Sequence, residues 1–553
     1  MPKKAKTNKS ESFFRKWLPV FVLSLALAII LIDATLLNVS LSTLVKDLNT
    51  DIQSLQWVIT AYSLTIAALT ITGGRLGDLF GRKKMFVIGA ALFAVGSFVA
   101  SISTNVATMI IGESIIEGIG AAMMMPATAS LLVSKYKGRD RGIAFGIWGG
   151  VAAASTAIGP LLGGYMTTYY SWRWGFRINV VVATVLILGS FLIKEYRENT
   201  KKPKLDVIGV ILSSTGMLAL IYGIIESSTY GWWTAKKAFE IFGSSYGLWG
   251  YSITPFAVGI GLVILTLFLL WERRVESRGT TPLVSLHLFE NKQFVSSVMT
   301  TAIFALGQAG LIFSIPVFLQ AVRGASAFET GLAMVPMSIT ALIMAPIGGM
   351  LSHKIAPKTL VQIGMAGFVA AYVMIYFILD VNTVASDLIL PFIVMGFGMG
   401  TMMASISNMT LSAVSPEQSG EASGVNNTLR QVGATLGTAI IGAVMLTAIS
   451  TNLTNGINDS QVIPQAMKAP INKTVSSQAS NVEFGGGAHV SKSIPVNISN
   501  EITNISHQAI TDANKQSLSY AIMFGIVGLV STIWLPSGTH VEYEENLASK
   551  KPA

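Results

Sequence analysis

The chain contains no cysteine, so disulfides and thiolate metal sites are excluded. Charge is scarce too. Asp, Glu, Lys and Arg make up 12% of the residues, against about a quarter in a soluble domain. There are five histidines in 553 residues, and none falls in a His-x-x-x-His or His-x-Asp pattern. A polytopic membrane enzyme would need a nucleophile–base or metal constellation, so an enzyme is the weaker alternative. The absence of a Walker-type nucleotide motif argues against an ATP-driven pump. No cofactor is implied.

What the sequence has instead is long apolar runs; 51% of the residues are hydrophobic. Low charge with such runs is a membrane signature. The net charge of +10 does not indicate nucleic acid, because the basic residues sit at the ends of the runs. The start, MPKKAKTNKSESFFRKW, resembles a signal-peptide n-region. The run after it is long enough to span and has no small-residue cleavage site, so it reads as an uncleaved first helix.

Crossing the hydrocarbon core takes about 20 apolar residues. Fourteen candidate spans lie near 17–40, 54–75, 85–103, 107–134, 141–166, 176–194, 206–226, 252–271, 294–320, 329–352, 359–379, 388–412, 423–449 and 518–536. Even-numbered connections carry clusters such as Arg82, Lys83 and Lys84, or Arg273, Arg274 and Arg278, while odd ones are poorer. Positive residues stay cytoplasmic, which puts both termini inside. Residues 451–517, rich in Asn, Ser, Thr and Gln, then form an extracellular loop. VEFGGGAHV at 482–490 suggests a short hairpin, and an amphipathic helix is expected near 499–517. A solvated linker is the plainer reading.

Span 2 ends in GGRLGDLFGRKK and span 10 in GGMLSHKIAPK. Two homologous halves would explain the match. In a chain of two six-span halves, span 2 would match span 8. Two extra helices, spans 7 and 8, therefore lie between the halves. The expected organisation is a tail at 1–16, a six-helix bundle at 17–194, two inserted helices with linkers at 195–292, a second bundle at 293–536 and a tail at 537–553.

Within the first repeat, Gly74, Asp78, Gly81, Arg82 and Lys83 form a compact cluster at a helix end. Small residues permit close helix approach, and Asp78 can pair with cations. This suits a latch that breaks when two halves rock. In span 5, Gly159 and Pro160 interrupt the helical ladder, and Gly163 and Gly164 allow tight packing. Carboxylates at bilayer depth must be protonated, paired or beside water. Asp33 sits mid-span in span 1, and Glu113 and Glu117 lie one turn apart on one face of span 4. Arg430 is expected at the start of span 13, near the cytoplasmic face, as a structural partner. Met124, Phe304 and Gln308 are cavity candidates because adaptable apolar side chains suit promiscuous sites.

The GRLGDLFGRKK segment resembles motif A of the major facilitator superfamily. IDATLLNVSL at 32–41, with Asp33, Thr35 and Asn38, GPLLGG at 159–164, WERRVESRGTTPLVSLHLF at 271–289 and GEASGVNNTLRQVGATLG at 420–437 resemble its fourteen-spanner drug:proton antiporter branch, the EmrB- and QacA-like proteins. The resemblance implies an all-α integral membrane protein with the major facilitator fold, two six-helix bundles plus two inserted helices. It also implies proton-coupled export of lipophilic drugs or toxic compounds across the bacterial cytoplasmic membrane. Its partners would be a small lipophilic substrate, protons and membrane lipid, with no nucleic acid, and the protein would be a monomer. Span 4 departs from the branch. Where the family pattern reads G-R-x-x-Q-G-x-G-A-A, this chain reads G-E-S-I-I-E-G-I-G-A-A. The extra negative charge favours cationic cargo. An exporter of a lipid or envelope metabolite on the same fold is the alternative.

Overall fold

In hydrocarbon every backbone N–H and C=O must be bonded within its own segment, so apolar runs of this length become helices. The computed structural model describes residues 13–50, 52–194, 205–241, 244–246, 250–352, 354–478 and 495–537. The first half comprises α1 (Phe13–Asp47), α2 (Ile52–Phe80), α3 (Arg82–Ser101), and α4 (Val106–Met109) continuing through a π-helical segment (Ile110–Glu117) into α5 (Gly118–Lys135). It closes with α6 (Gly138–Tyr169) and α7 (Arg173–Gly189). Next come α8 (Val207–Tyr230) and α9 (Ile253–Ser277). An antiparallel ladder joins them, β1 (Phe239–Ile241) on β2 (Ser244–Tyr246), with Phe239 opposite Tyr246. The second half holds α10 (Lys292–Ala321), α11 (Ala327–Ala333), α12 (Val335–Leu351), α13 (Pro357–Ile378), α14 (Ile389–Ser412), α15 (Ser419–Asp459), α16 (Gln465–Gln478) and α17 (Val496–Ser531).

Among the described residues, twelve helices are long and apolar enough to cross a membrane, and thirteen if bent α6 is one span. The remaining expected span, 294–320, is the 30-residue helix α10, which falls outside that set. The two parts of α6, Gly138–Ser155 and Ile158–Tyr169, meet at 43°. Pro160 lacks an N–H and its ring crowds the carbonyl four residues earlier, which bends a helix at such a point.

The two glycine pairs of the repeat occupy equivalent seams. Gly73 packs against Ala122 of α5 and Gly348 against Thr401 of α14, each within its own half. Gly74 packs against the Gly420 carbonyl of α15, and Gly349 against the Gly142 carbonyl of α6, each across to the other half. A methyl group at any of these positions would meet its neighbour's backbone at or inside van der Waals distance. The halves therefore touch along α2–α15 and α6–α12, where small residues let the backbones approach closely.

Helices α8 and α9 pack on each other, and α8 also lies against α2 and α15. Trp57 and Tyr222 stack at that contact, 5.7 Å between ring centroids. The other flank of α9 exposes Ile260, Val263, Leu267 and Leu270. The pair sits outside the twelve remaining long helices.

The region between spans 13 and 14 differs from the expected loop. Helix α15 runs 41 residues and α17 runs 36, about 60 and 54 Å at 1.5 Å per residue, well beyond a core of about 30 Å. Their polar ends continue as helix because Ile457, Ile463, Ile498 and Ile502 pack together, with Met467, Ile471 and Ile505 against them. The helix expected near 499–517 is thus the first part of α17. The hairpin expected at 482–490 lies outside the described residues, as do positions 1–12 and 538–553 of the tails.

Candidate functional site

The intramembrane acids meet inside the first half. Asp33 on α1 and Glu113 and Glu117 on the π-helical segment are all buried. Asn179 of α7 joins them: its Nδ2 donates to Asp33 Oδ1 at 2.6 Å and to Glu117 Oε1 at 3.4 Å. The second carboxyl oxygens of Asp33, Glu113 and Glu117 are buried without a well-formed hydrogen bond, while the Tyr62 hydroxyl and Glu117 both lie close to the Asp33 carboxyl. Ser97 of α3 borders Glu117. Three carboxyl groups around one amide donor cannot all carry unneutralised charge in such a place, so the cluster must hold protons, a cation or water.

The helix widens over Ile110–Glu117, where a π turn closes i→i+5 without breaking the helix. Ser114 Oγ donates to the Val58 carbonyl at 2.8 Å, which ties the widened turn to α2.

The span-5 motif lies directly against α1. A methyl at Gly159 would overlap Thr35 Oγ1, and one at Gly163 would lie 3.0 Å from the Leu36 carbonyl. Gly164 is buried and Pro160 half-buried on the same helix. The motif thus sets how closely α6 approaches the stretch of α1 that carries Asp33. Asn38 is on α1, but its side chain is outside the described residues.

The latch residues bridge the halves. Asp78 Oδ1 accepts from Arg82 Nε at 3.0 Å and Nη2 at 2.9 Å, and Asp78 Oδ2 accepts from the Glu421 backbone N–H at 2.8 Å. The Arg82 guanidinium also donates to the carbonyls of Pro416 and Glu417 and to Ser134 Oγ. Arg75 pairs with Glu421 at 3.5 Å, and the Ser285 N–H donates to Glu421. Gly81 has φ 107°, a region open to glycine, and this turns the chain sharply before Lys83. The linker that follows α9 is therefore fastened to the same latch, a contact not visible in the sequence.

Three placements differ from the sequence expectation. Met124 is buried and packs toward Gly89 of α3. Phe304 is buried and sits 4.8 Å from the Phe368 ring. Both are packing residues in this structure, since an apolar side chain on a helix buried all round has no preferred side. Arg430 is not at a helix start. It lies well inside α15, with Nη2 3.9 Å from Met125 Sδ across the seam. Gln308 is half-buried, its Nε2 4.0 Å from Met399 Sδ.

A small cavity does lie at the junction of the halves. Leu27 and Leu31 of α1, Trp148 of α6, Thr301 of α10, Met403 of α14, and Asn426 and Arg430 of α15 border it. Its volume is about 10 Å³, on the order of one water, so the halves are closed here. Asp33 is on the opposite side of α1 from Leu27 and Leu31, and the acids do not line this cavity. A larger groove of about 420 Å³, lined by Phe289, Lys292, Met299 and Trp534, touches none of these residues.

The family model "Major Facilitator Superfamily" matches residues 23–261 and 207–438. The chain belongs to the Major Facilitator Superfamily. It is a transporter and a multi-pass protein of the cell membrane. Superfamily relatives include the multidrug efflux pump LfrA of Mycolicibacterium smegmatis, 30% identical over 79% of this chain and 82% of its own length. Another is the puromycin resistance protein pur8 of Streptomyces alboniger, 29% identical over 79% and 84%. The MFS-type transporter YhcA of Bacillus subtilis is 26% identical over 93% and 92%. Among solved structures, the proton:xylose symporter XylE superposes with a TM-score of 0.55 at 12% identity, covering 96% of this chain and 98% of that one. At that identity the likeness concerns the fold alone.

Proposed function

We propose that the chain is a proton-coupled antiporter that exports lipophilic cationic drugs or toxic compounds across the cytoplasmic membrane. The observation that carries this reading is the buried cluster of Asp33, Glu113 and Glu117 around Asn179. The relatives named for multidrug efflux and for puromycin resistance support drug export. Both termini and the latch lie in the cytoplasm in this reading, the ends of α15 and α17 project outside, and one chain with fourteen spans is the working unit.

The acids carry the protons, and cargo and proton are exchanged through charge. Helix α1 is about 10 Å thick with its side chains. It separates Asp33 from the cavity beside Leu27 and Leu31. A cation in that cavity interacts with an ionised Asp33 by about 1.7 kcal/mol at 10 Å and an effective dielectric constant near 20. That favours proton release by on the order of tenfold. Release toward the cytoplasm then accompanies cargo binding. Reprotonation from the outside, at lower pH, removes the attraction and expels the cation. The latch keeps the cytoplasmic side closed while the outer side opens.

Everted vesicles test this reading. Adding ethidium to vesicles with an imposed proton gradient should dissipate the gradient in proportion to the amount of this protein. An unchanged gradient, with ethidium still taken up, would exclude proton coupling.

A further inference from the structure

We propose that the cavity at the junction of the halves binds an anionic end of the cargo, a carboxylate or phenolate, through Arg430. This rests on the drug-export reading and specifies its cargo as an amphiphile with a basic group and an anionic group at separate ends.

The cavity contains a cation for which the fold supplies no anion. Arg430 is half-buried and forms no ion pair with a carboxylate among the described residues. Its polar contact among the described residues is the Met125 sulfur at 3.9 Å, a weak acceptor for a guanidinium that offers five N–H donors. One turn earlier on the same face of α15, Asn426 also borders the cavity, and its buried, unpartnered Oδ1 can accept from an N–H or O–H of the same ligand. Three neighbouring polar groups are already engaged. Asn427 donates to the Ser423 carbonyl at 2.9 Å, Thr301 to the Ser297 carbonyl at 2.9 Å, and Trp148 Nε1 to Thr128 Oγ1 at 3.2 Å.

Holding an uncompensated cation at bilayer depth is costly and is retained where it meets a ligand or a pathway. Apart from Ser407, the rest of the lining, Leu27, Leu31, Ala152 and Met403, is apolar and fits the body of a lipophilic molecule. Arg430 belongs to one half and its contact Met125 to the other. A ligand held there lies on the plane along which the halves separate, where each side can gain or lose it. Arg430 repels the basic end of the cargo and turns it toward α1 and the acids, so the two charges of the cargo are sorted by the two charges of the protein.

The test uses the full chain in proteoliposomes with an imposed proton gradient and three probes: norfloxacin, its methyl ester, and tetraphenylphosphonium, which has no acceptor group. The wild type should transport norfloxacin with a lower KM than the ester. Arg430→Gln should raise the norfloxacin KM about tenfold or more, the worth of one charge-assisted hydrogen bond. Its tetraphenylphosphonium KM should not rise, because losing Arg430 takes a repelling charge out of the cavity. Arg430→Lys should fall between, because it keeps the charge and loses the fork. The acid-to-ester comparison in the wild type needs no variant, so misfolding of Arg430→Gln does not remove the test. Equal handling of acid and ester, or an equal loss for all probes in well-inserted Arg430→Gln, overturns the proposal while export of tetraphenylphosphonium stands. If the wild type moves none of the probes, the drug-export reading fails and this inference fails with it.

Discussion

Replacing Asp78 with Asn removes one charge and almost no volume, at the point where the halves are fastened. Asp78 accepts two N–H groups from Arg82 and one from the Glu421 backbone. The side chains of the pair are 5% and 11% exposed, so water replaces little of what is lost. A hydrogen bond to a charged group contributes about 1.5–3 kcal/mol. The bonds to Arg82 stay within one half, so only the Glu421 bond and Arg82's hold on Pro416 and Glu417 count toward latching. Taking about 2 kcal/mol as the loss, the latched population falls about thirtyfold relative to the unlatched one. The absence of native cysteine makes this measurable with labels at introduced cysteines, at Phe80 on α2 and Ser415 before α15, both exposed. Distance distributions between spin labels should show one short population in the wild type and an added longer one in Asp78→Asn, together with impaired transport. An unchanged distribution with full transport would refute the latch and leave the segment a topology signal.

Asn179→Leu should impair proton coupling while the protein still inserts, because it removes the amide that donates to Asp33 and Glu117; normal coupling would make Asn179 a packing residue. Glu113→Gln should weaken export of dications more than of monocations, and Glu113→Arg should shift preference away from dications; transport assays with paired mono- and dications check both. Single cysteines at Asn458 and Ser499, on the projecting ends of α15 and α17, should react with an impermeant maleimide in intact cells. Protection there, with labelling only after lysis, would invert the orientation.

Much of this was legible in the sequence where charge carries the signal. Asp33, Glu113 and Glu117 stand out because a carboxyl in an apolar run is costly, and Asp78 and Arg82 because a Gly-Asp-Gly turn is distinctive. Asn179 was missed because an amide has no charge to mark it in a span that is otherwise mostly apolar. Tyr62 was missed for the same reason. Arg430 was placed at a helix start because the apolar run begins near it, whereas α15 begins earlier, at Ser419, in a stretch of Gly, Glu and Ser. The projecting ends of α15 and α17 read as loop because Asn, Ser and Thr favour turns. Packing of four isoleucines far apart in sequence overrides that preference. Met124 and Phe304 were assigned to a cavity on residue type alone, and residue type does not say which side of a buried helix faces a void.

The central claim is that the acids carry the protons. The direct measurement is cargo-driven proton movement in proteoliposomes, with a pH dye inside and ethidium added outside, for the wild type, Asp33→Asn and Asp33→Asn with Glu113→Gln. The account predicts a proton flux in the wild type that disappears in Asp33→Asn and stays absent in the double variant, with all three proteins inserted to the same level. A double variant that still exchanges protons for ethidium would place the coupling groups elsewhere and contradict the account.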